Sequence, residues 1–284
     1  RTPGRIPVRL PVWPDPKQSG AASLKASDLT AKLEGEPARV RTVLGPEDEL
    51  LLLLVMDVVG DLSLVDPAKR ALASVIEGLP ENFYVGLMQA QNGLTVLVDP
   101  TPDREKISRS LDTLPVSGRP GLLDTVETVS KIGDEVLAKS EVRVAVLYIT
   151  DSDVREYRED FTNPVINRSD PHDLSRRFPE GLIREKISKL DSMLASLETP
   201  VFVVHLDYRS ERLNEAYQAG LMQLSSTTGG TSLFCRSNAE ISGVIEKMLQ
   251  TIKSFYRVDI ELPPRPPKIL QVQLESASGS LSYR

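Results

Sequence analysis

One cysteine, two histidines, no surplus of positive charge and no long apolar run remove whole classes of function before any motif is read. Cys235 has no second cysteine with which to form an internal disulfide, and in the run TSLFC it reads as a small core residue rather than a reactive thiol. His172 and His205 have no cysteine cluster beside them, which leaves a zinc centre of the usual nitrogen and sulfur type without ligands. A net charge of −6 gives no basic field to neutralise phosphates, so neither nucleic acid nor an anionic membrane surface is an expected partner. The longest strongly apolar run, Leu50 to Met56, falls far short of the ~20 residues a bilayer requires, and no membrane insertion is expected. There is no G-x-S-x-G elbow and no Gly-rich phosphate loop followed by Lys and Ser or Thr, so the serine hydrolase and NTPase readings have no support. The chain opens on Arg1 rather than Met, from which removal of an upstream segment, with any signal peptide, is expected.

What is present is enough for one large core: 284 residues, 40% of them hydrophobic. From Leu50 onward apolar runs alternate with helical periodicity, the pattern of a parallel sheet with helices on both faces. LLLLVMD is the first strand. Asp66 and Pro67 then read as the cap and first position of a helix that ends at the glycine of EGLP. FYVGLMQ is a second strand and LTVLV a third; the Asn-Gly turn between them makes the third an antiparallel edge. Thr101 and Pro102 read as a helix start, LLDTVETVSKIGDEVL carries helical spacing, and VAVLYITD is a fourth strand ending on Asp151. The charged stretch 152–180 reads as an insertion. A helix from about Gly181 to Leu197, the strand VFVVHL, the helix ERLNEAYQAGLMQL, the strand TSLFC and a helix opened by Ser237 and Glu240 as a capping box follow.

The expected fold is therefore α/β, a doubly wound, mostly parallel six-stranded sheet in the order 3-2-1-4-5-6, spanning residues 50–253. Residues 1–49 and 254–284 carry short strand-like runs, among them IPVRLPVW, LTAKL, YRVDIEL and KILQVQLES. Each end alone has too little apolar surface for a core, so the two are expected to pair into one small β layer.

In such a sheet ligands sit beyond the carboxyl ends of the strands where the winding reverses, here between the first and fourth. Asp57 and Asp151 end those strands, and Asp61 follows on the first loop. Two carboxylates about 4 Å apart repel by roughly 4 kcal/mol at an effective dielectric near 20, so three in one crevice call for a cation, a proton or separation. A divalent metal is one solution; the guanidinium of Arg119 in the second loop is another; a third has Asp61 pointing into water.

MDVVGDLS, SGRPGLLDTV and YITDSD, in that order, resemble the three loops of a von Willebrand factor A (VWA) domain. The flanks LKASDLTAKLEGEP and YRVDIELPPRPPKILQVQLESASGSLSYR resemble those of the bacterial VWFA-related family, so the likeness covers nearly the whole chain. That resemblance implies protein recognition through the crevice, a secreted or cell-envelope location, and a metal held by Asp-x-Ser-x-Ser, a Thr and an Asp. On this chain Asp57 and Asp151 occupy the two aspartate positions, Val59 and Asp61 stand at the serine positions, and Pro120 stands at the threonine position. Valine and proline offer no side-chain oxygen, so the implied site is degenerate, with no cofactor or a weakly bound Mg or Ca.

Asp57, Asp61 and Asp151 are the candidate metal residues; Arg119, Ser152, Asp153, Arg155, Tyr157 and Phe161 are the candidate binding residues, because guanidinium and aromatic groups are enriched at interface hot spots. The expected function is a non-catalytic interaction or adhesion module with a protein partner. The alternatives are a metal-dependent VWA domain and a scaffold domain of a larger secreted protein. Aspartate-based phosphotransfer is disfavoured, because the position two residues after Asp57, where the acid and base aspartate would stand, is Val59.

Overall fold

The computed structural model describes residues 7–15, 23–154, 157, 179–267, 269–277 and 279–283. Its central sheet is built from β5 (Leu50–Asp57), β6 (Phe83–Gln89), β7 (Thr95–Thr101), β8 (Arg143–Thr150), β9 (Val201–His205) and β10 (Ser232–Phe234). The order β10-β9-β8-β5-β6-β7 is the expected doubly wound order, and β7 runs antiparallel at its edge. Alternation along β5 shows how the core is divided: Leu50, Leu52, Leu54 and Met56 face one layer of helices, Leu51, Leu53 and Val55 the other. The first layer comprises α1 (Leu62–Glu77), α2 (Arg104–Asp112) and α6 (Ile241–Ser254); the second comprises α3 (Leu122–Lys139), α4 (Pro179–Leu194) and α5 (Arg212–Thr227). Each fully buried Leu or Val contributes on the order of 1.5–3 kcal/mol, so a strand buried on both faces anchors the sheet. Cys235 is buried in the first layer, and burial pushes its thiol up to about 11.

The remaining strands are β1 (Pro7–Pro14), β2 (Leu29–Leu33), β3 (Glu36–Ala38), β4 (Val40–Leu44), β11 (Tyr256–Glu261), β12 (Val272–Ser276) and β13 (Leu281–Tyr283). Strands of the two ends pair with one another as expected, but in two sheets, β13-β1-β11-β4 and β12-β2-β3, which share one apolar cluster around Val12, Leu33, Val258 and Leu274. Buried Arg143 joins this region to the central sheet. Its guanidinium donates to the carbonyls of Lys253 (2.9 Å), Phe255 (3.0 Å), Pro46 (3.1 Å) and Asp48 (3.0 Å), and burial lowers its pKa to about 10. Arg257 pairs with Asp259 and donates to the Val142 carbonyl at 2.6 Å.

Three helix starts differ from expectation. α1 begins at Leu62, capped by Asp61, with Pro67 in its interior. The residues before Pro67 are helical because Leu64 and Val65 are buried against the sheet, and the Ser63 carbonyl that Pro67 cannot serve accepts from Asn238 Nδ2 at 3.1 Å. Thr101 ends β7, and Asp103 caps α2 by accepting from the Lys106 amide at 3.0 Å. Ser237 makes no side-chain cap; the Glu240 carboxylate instead accepts from the Arg236 amide at 2.9 Å, and a short 3-10 turn leads into α6.

Candidate functional site

β5 and β8 are paired in parallel with Asp57 opposite Thr150, which brings Asp57 and Asp151 to the same carboxyl edge. Asp57 is fully buried. Its Oδ1 accepts from the Gly121 amide at 2.7 Å, and its Oδ2 accepts from Thr150 Oγ1 at 3.0 Å and Ser152 Oγ at 3.5 Å. Burial raises its pKa to about 7; the hydrogen bonds from Gly121 and Thr150 oppose the rise, and the neighbouring Asp151 charge adds to it. Gly121 can hold this position only as glycine, because a Cβ there would fall 1.6 Å from the Ala90 carbonyl oxygen.

Asp151 is used differently. Its Oδ1 accepts from the Val59 amide at 2.8 Å, and its Oδ2 accepts from the amides of Gly60 and Asp61, each at 3.0 Å. The loop between β5 and α1 therefore wraps its backbone N–H groups around a carboxylate from the next strand, a small anion-holding concavity that supplies charge-assisted hydrogen bonds. Asp61 caps α1: its Oδ1 accepts from the Ser63 amide at 2.8 Å, and the hydrogen bonds from Ser63 hold its carboxyl below the usual range.

Other residues foreseen at the rim turn inward. Ser152 is fully buried, with its hydroxyl 2.7 Å from Thr150 Oγ1 and 3.1 Å from the Tyr217 hydroxyl. Tyr157 is buried with its ring centroid 5.6 Å from that of Tyr217, and Lys186 Nζ lies 5.7 Å from the Tyr157 centroid. Asp153 is buried and pairs with Arg209. Arg119 is exposed, and its backbone is docked on Asn92 by hydrogen bonds of 2.9 and 3.0 Å. Arg155 and Phe161 lie outside the described residues, as does most of the stretch 152–180.

Sequence reasoning missed Gly121, Thr150, Tyr217 and Arg209. Thr150 stands beside Asp151 in YITD, and the period-2 rule would have turned its side chain to the same side as Ser152. Nothing in LDYRSER marks Arg209. His205 is a strand-end residue without catalytic geometry: its Nε2–H donates to the Ser152 carbonyl at 2.8 Å and its Nδ1 accepts from the Asp207 amide at 3.2 Å. Burial lowers its pKa, so it is held neutral.

As a donor set for a divalent cation these residues fit poorly. Val59 and Pro120 bring no side-chain oxygen, Asp61 Oδ1 serves its own helix, and both Asp151 oxygens are engaged by amides. Among the described residues no group of three or more His, Cys, Asp and Glu side chains is placed to share an ion.

By sequence the chain matches no protein-family model and no curated protein. By structure it is similar to the D319A mutant of the PilB minor pilin from Streptococcus sanguinis, with a TM-score of 0.54 and 11% identity over 73% of this chain and 62% of that one. It is also similar to a von Willebrand factor type A protein from Catenulispora acidiphila, with a TM-score of 0.49 and 11% identity over 100% of this chain and 73% of that one. A third is an aerotolerance-related membrane protein from Bacteroides fragilis, with a TM-score of 0.43 and 12% identity over 71% of this chain and 99% of that one. The fold is VWA-like, as the loop motifs implied. No helix among the described residues is long and apolar enough to cross a membrane.

Proposed function

We propose that this chain is a non-catalytic protein-interaction module of VWA-like fold, working in the cell envelope or outside the cell, whose crevice between β5 and β8 is a degenerate metal site. The supporting observation is the consumption of Asp151 by the amides of Val59, Gly60 and Asp61. In a metal-binding crevice that carboxylate would face the ion; here it closes the first loop. Asp57, buried and held by one amide and two hydroxyls, is supplied with donors rather than with a counter-charge. This arrangement also disfavours catalysis by Asp57, since its carboxylate oxygens are sequestered beneath the rim.

Calorimetric titration with Mg²⁺, Mn²⁺ and Ca²⁺ tests the metal half: no low-micromolar binding is expected, and such binding abolished by Asp57→Ala would overturn it. For the recognition half, Val154 and Tyr157 are buried in the core and must be kept, so residues 158–178 are replaced by a short Gly-Ser linker. The expected result is unchanged thermal stability together with loss of a protein that the intact chain captures from the cell envelope; unchanged capture counts against recognition through this segment.

A further inference from the structure

The crevice raises an electrostatic question that its hydrogen bonds do not answer. Asp61, Asp151, Asp153 and Asp207 are carried by neighbouring loops at the carboxyl edge of one sheet, and like charges so gathered destabilise one another unless a positive group stands among them. The sequence suggested Arg119, whose backbone belongs to the second loop. Among the described residues the structure supplies another, Arg209.

Arg209 lies on the loop between β9 and α5. Its Nε donates to Asp207 Oδ2 at 2.7 Å, and its Nη1 pairs with Asp153 Oδ2. The backbone is held on both sides by one side chain: the Arg209 amide donates to Gln218 Oε1 at 3.0 Å, and Gln218 Nε2 donates to the Arg209 carbonyl at 2.8 Å. Gln218 is itself buried on α5, so the backbone that carries the arginine is fixed from the core outward, while the two carboxylates hold its partly exposed side chain. Its charge also reaches across the crevice: after the Ser63 hydrogen bonds, Arg209 is among the causes that keep the Asp61 carboxyl low.

We infer that Arg209 is a resident cation of the crevice, its backbone set by Gln218 and its guanidinium shared between Asp153 and Asp207, supplying at this rim the positive charge that a divalent ion supplies in a complete VWA site. The inference rests on the degenerate-site reading above and goes beyond it by naming what replaces the ion. Recognition at this rim is then independent of divalent cations and dependent on a residue outside the three loops that mark a metal-binding VWA domain.

Thermal unfolding of the full chain, freed of metal by a chelator and then scanned with and without millimolar Ca²⁺, Mg²⁺ or Mn²⁺, tests this. The wild type is expected to unfold at one temperature in all these buffers. Arg209→Met removes the charge and keeps much of the apolar stem; it is expected to unfold about 4 °C lower and to recover most of that loss in millimolar Ca²⁺, because the uncompensated carboxylates then take a cation from solution. Arg209→Lys keeps the charge and is expected to remain insensitive to cations. Should Arg209→Met not fold, Arg209→Gln, which loses the charge but keeps a hydrogen-bond donor, carries the same reading. The inference is overturned if the neutral variant unfolds with the wild type, if its loss is untouched by any cation, or if the lysine variant responds to Ca²⁺ as the neutral one does. A cation response in the wild type reports instead on the degenerate-site reading, so the two failures are distinguishable.

Discussion

Asp57 and Asp151 end neighbouring strands and share one edge of the sheet, yet one carboxylate is satisfied by Gly121, Thr150 and Ser152 and the other by three successive amides of the loop that leaves Asp57's own strand. The exchange ties β5 to β8 at the level of their loops as well as along their ladder. Asp151 thus organises the backbone of the loop after β5, while Asp57 holds the amide that opens α3 and the hydroxyls of Thr150 and Ser152.

Asp151→Asn is expected to lower the unfolding free energy by about 2–3 kcal/mol, measured by urea denaturation at neutral pH. The amide that replaces one carboxylate oxygen meets backbone donors and accepts from none of them. Hydrogen exchange at Val59, Gly60 and Asp61 should speed up far more than exchange in the body of β5.

Asp57 gives the chain a pH signature. Its pKa rises from 3.8 in the ordinary state to about 7 in the folded one, so folding favours the protonated carboxyl. The stability this group contributes is fully present below its unfolded pKa, declines as pH rises between the two values, and is lost above the folded one. Asp57→Asn stays neutral throughout and escapes the decline. Relative to wild type, the variant is expected to gain up to about 4 kcal/mol between about pH 4 and about pH 8, read from denaturation curves at each pH. His205, whose lowered pKa acts in the opposite sense, is common to both proteins and cancels in the difference.

Gly121→Ala is expected to cost about 3 kcal/mol or more, because the added methyl would meet the backbone oxygen of Ala90 rather than a side chain that can turn away. Backbone displacement there also withdraws the amide from Asp57. Thermal unfolding and soluble yield give the check, and adding Asp57→Asn should be clearly non-additive with the glycine change, since the two share a hydrogen bond.

Arg143→Met leaves the carbonyls of Lys253, Phe255, Pro46 and Asp48 without their shared donor in a buried place. A loss of about 3–5 kcal/mol is expected, a fall in Tm of roughly 10 °C for a chain of this size. Arg143→Lys, one charge reaching fewer acceptors, should fall between the two.

Residues with a strong period were legible in the sequence. The unbroken apolar run ending at Asp57 and the Asn-Gly turn after β6 marked a strand inside the sheet and an antiparallel edge, because burial on both faces and a tight turn each leave a local mark; the strand order followed from the doubly wound pattern. The start of α1 was misread because Asp66-Pro67 is a familiar opening pair, whereas the helix began earlier through a carbonyl rescue by Asn238, a residue far away in sequence. The separation of the terminal strands into two sheets depends on register between distant segments, which alternation alone does not encode. Asp57 and Asp151 were placed correctly at one edge, but their partners were backbone amides, which carry no letter in a sequence. Arg209 escaped for a related reason: its task is set by Gln218 behind it and by Asp153 from another loop.

β1 lies between β13 and β11, pairing Pro7 with Glu261 on one side and Val12 with Tyr283 on the other. β1 therefore waits until every strand of the central sheet has been made before either of its neighbours exists. The central sheet can assemble before β11 is made; the β13-β1-β11-β4 sheet can close only afterwards, and any nascent chain halted before β11 emerges leaves β1 without a partner strand.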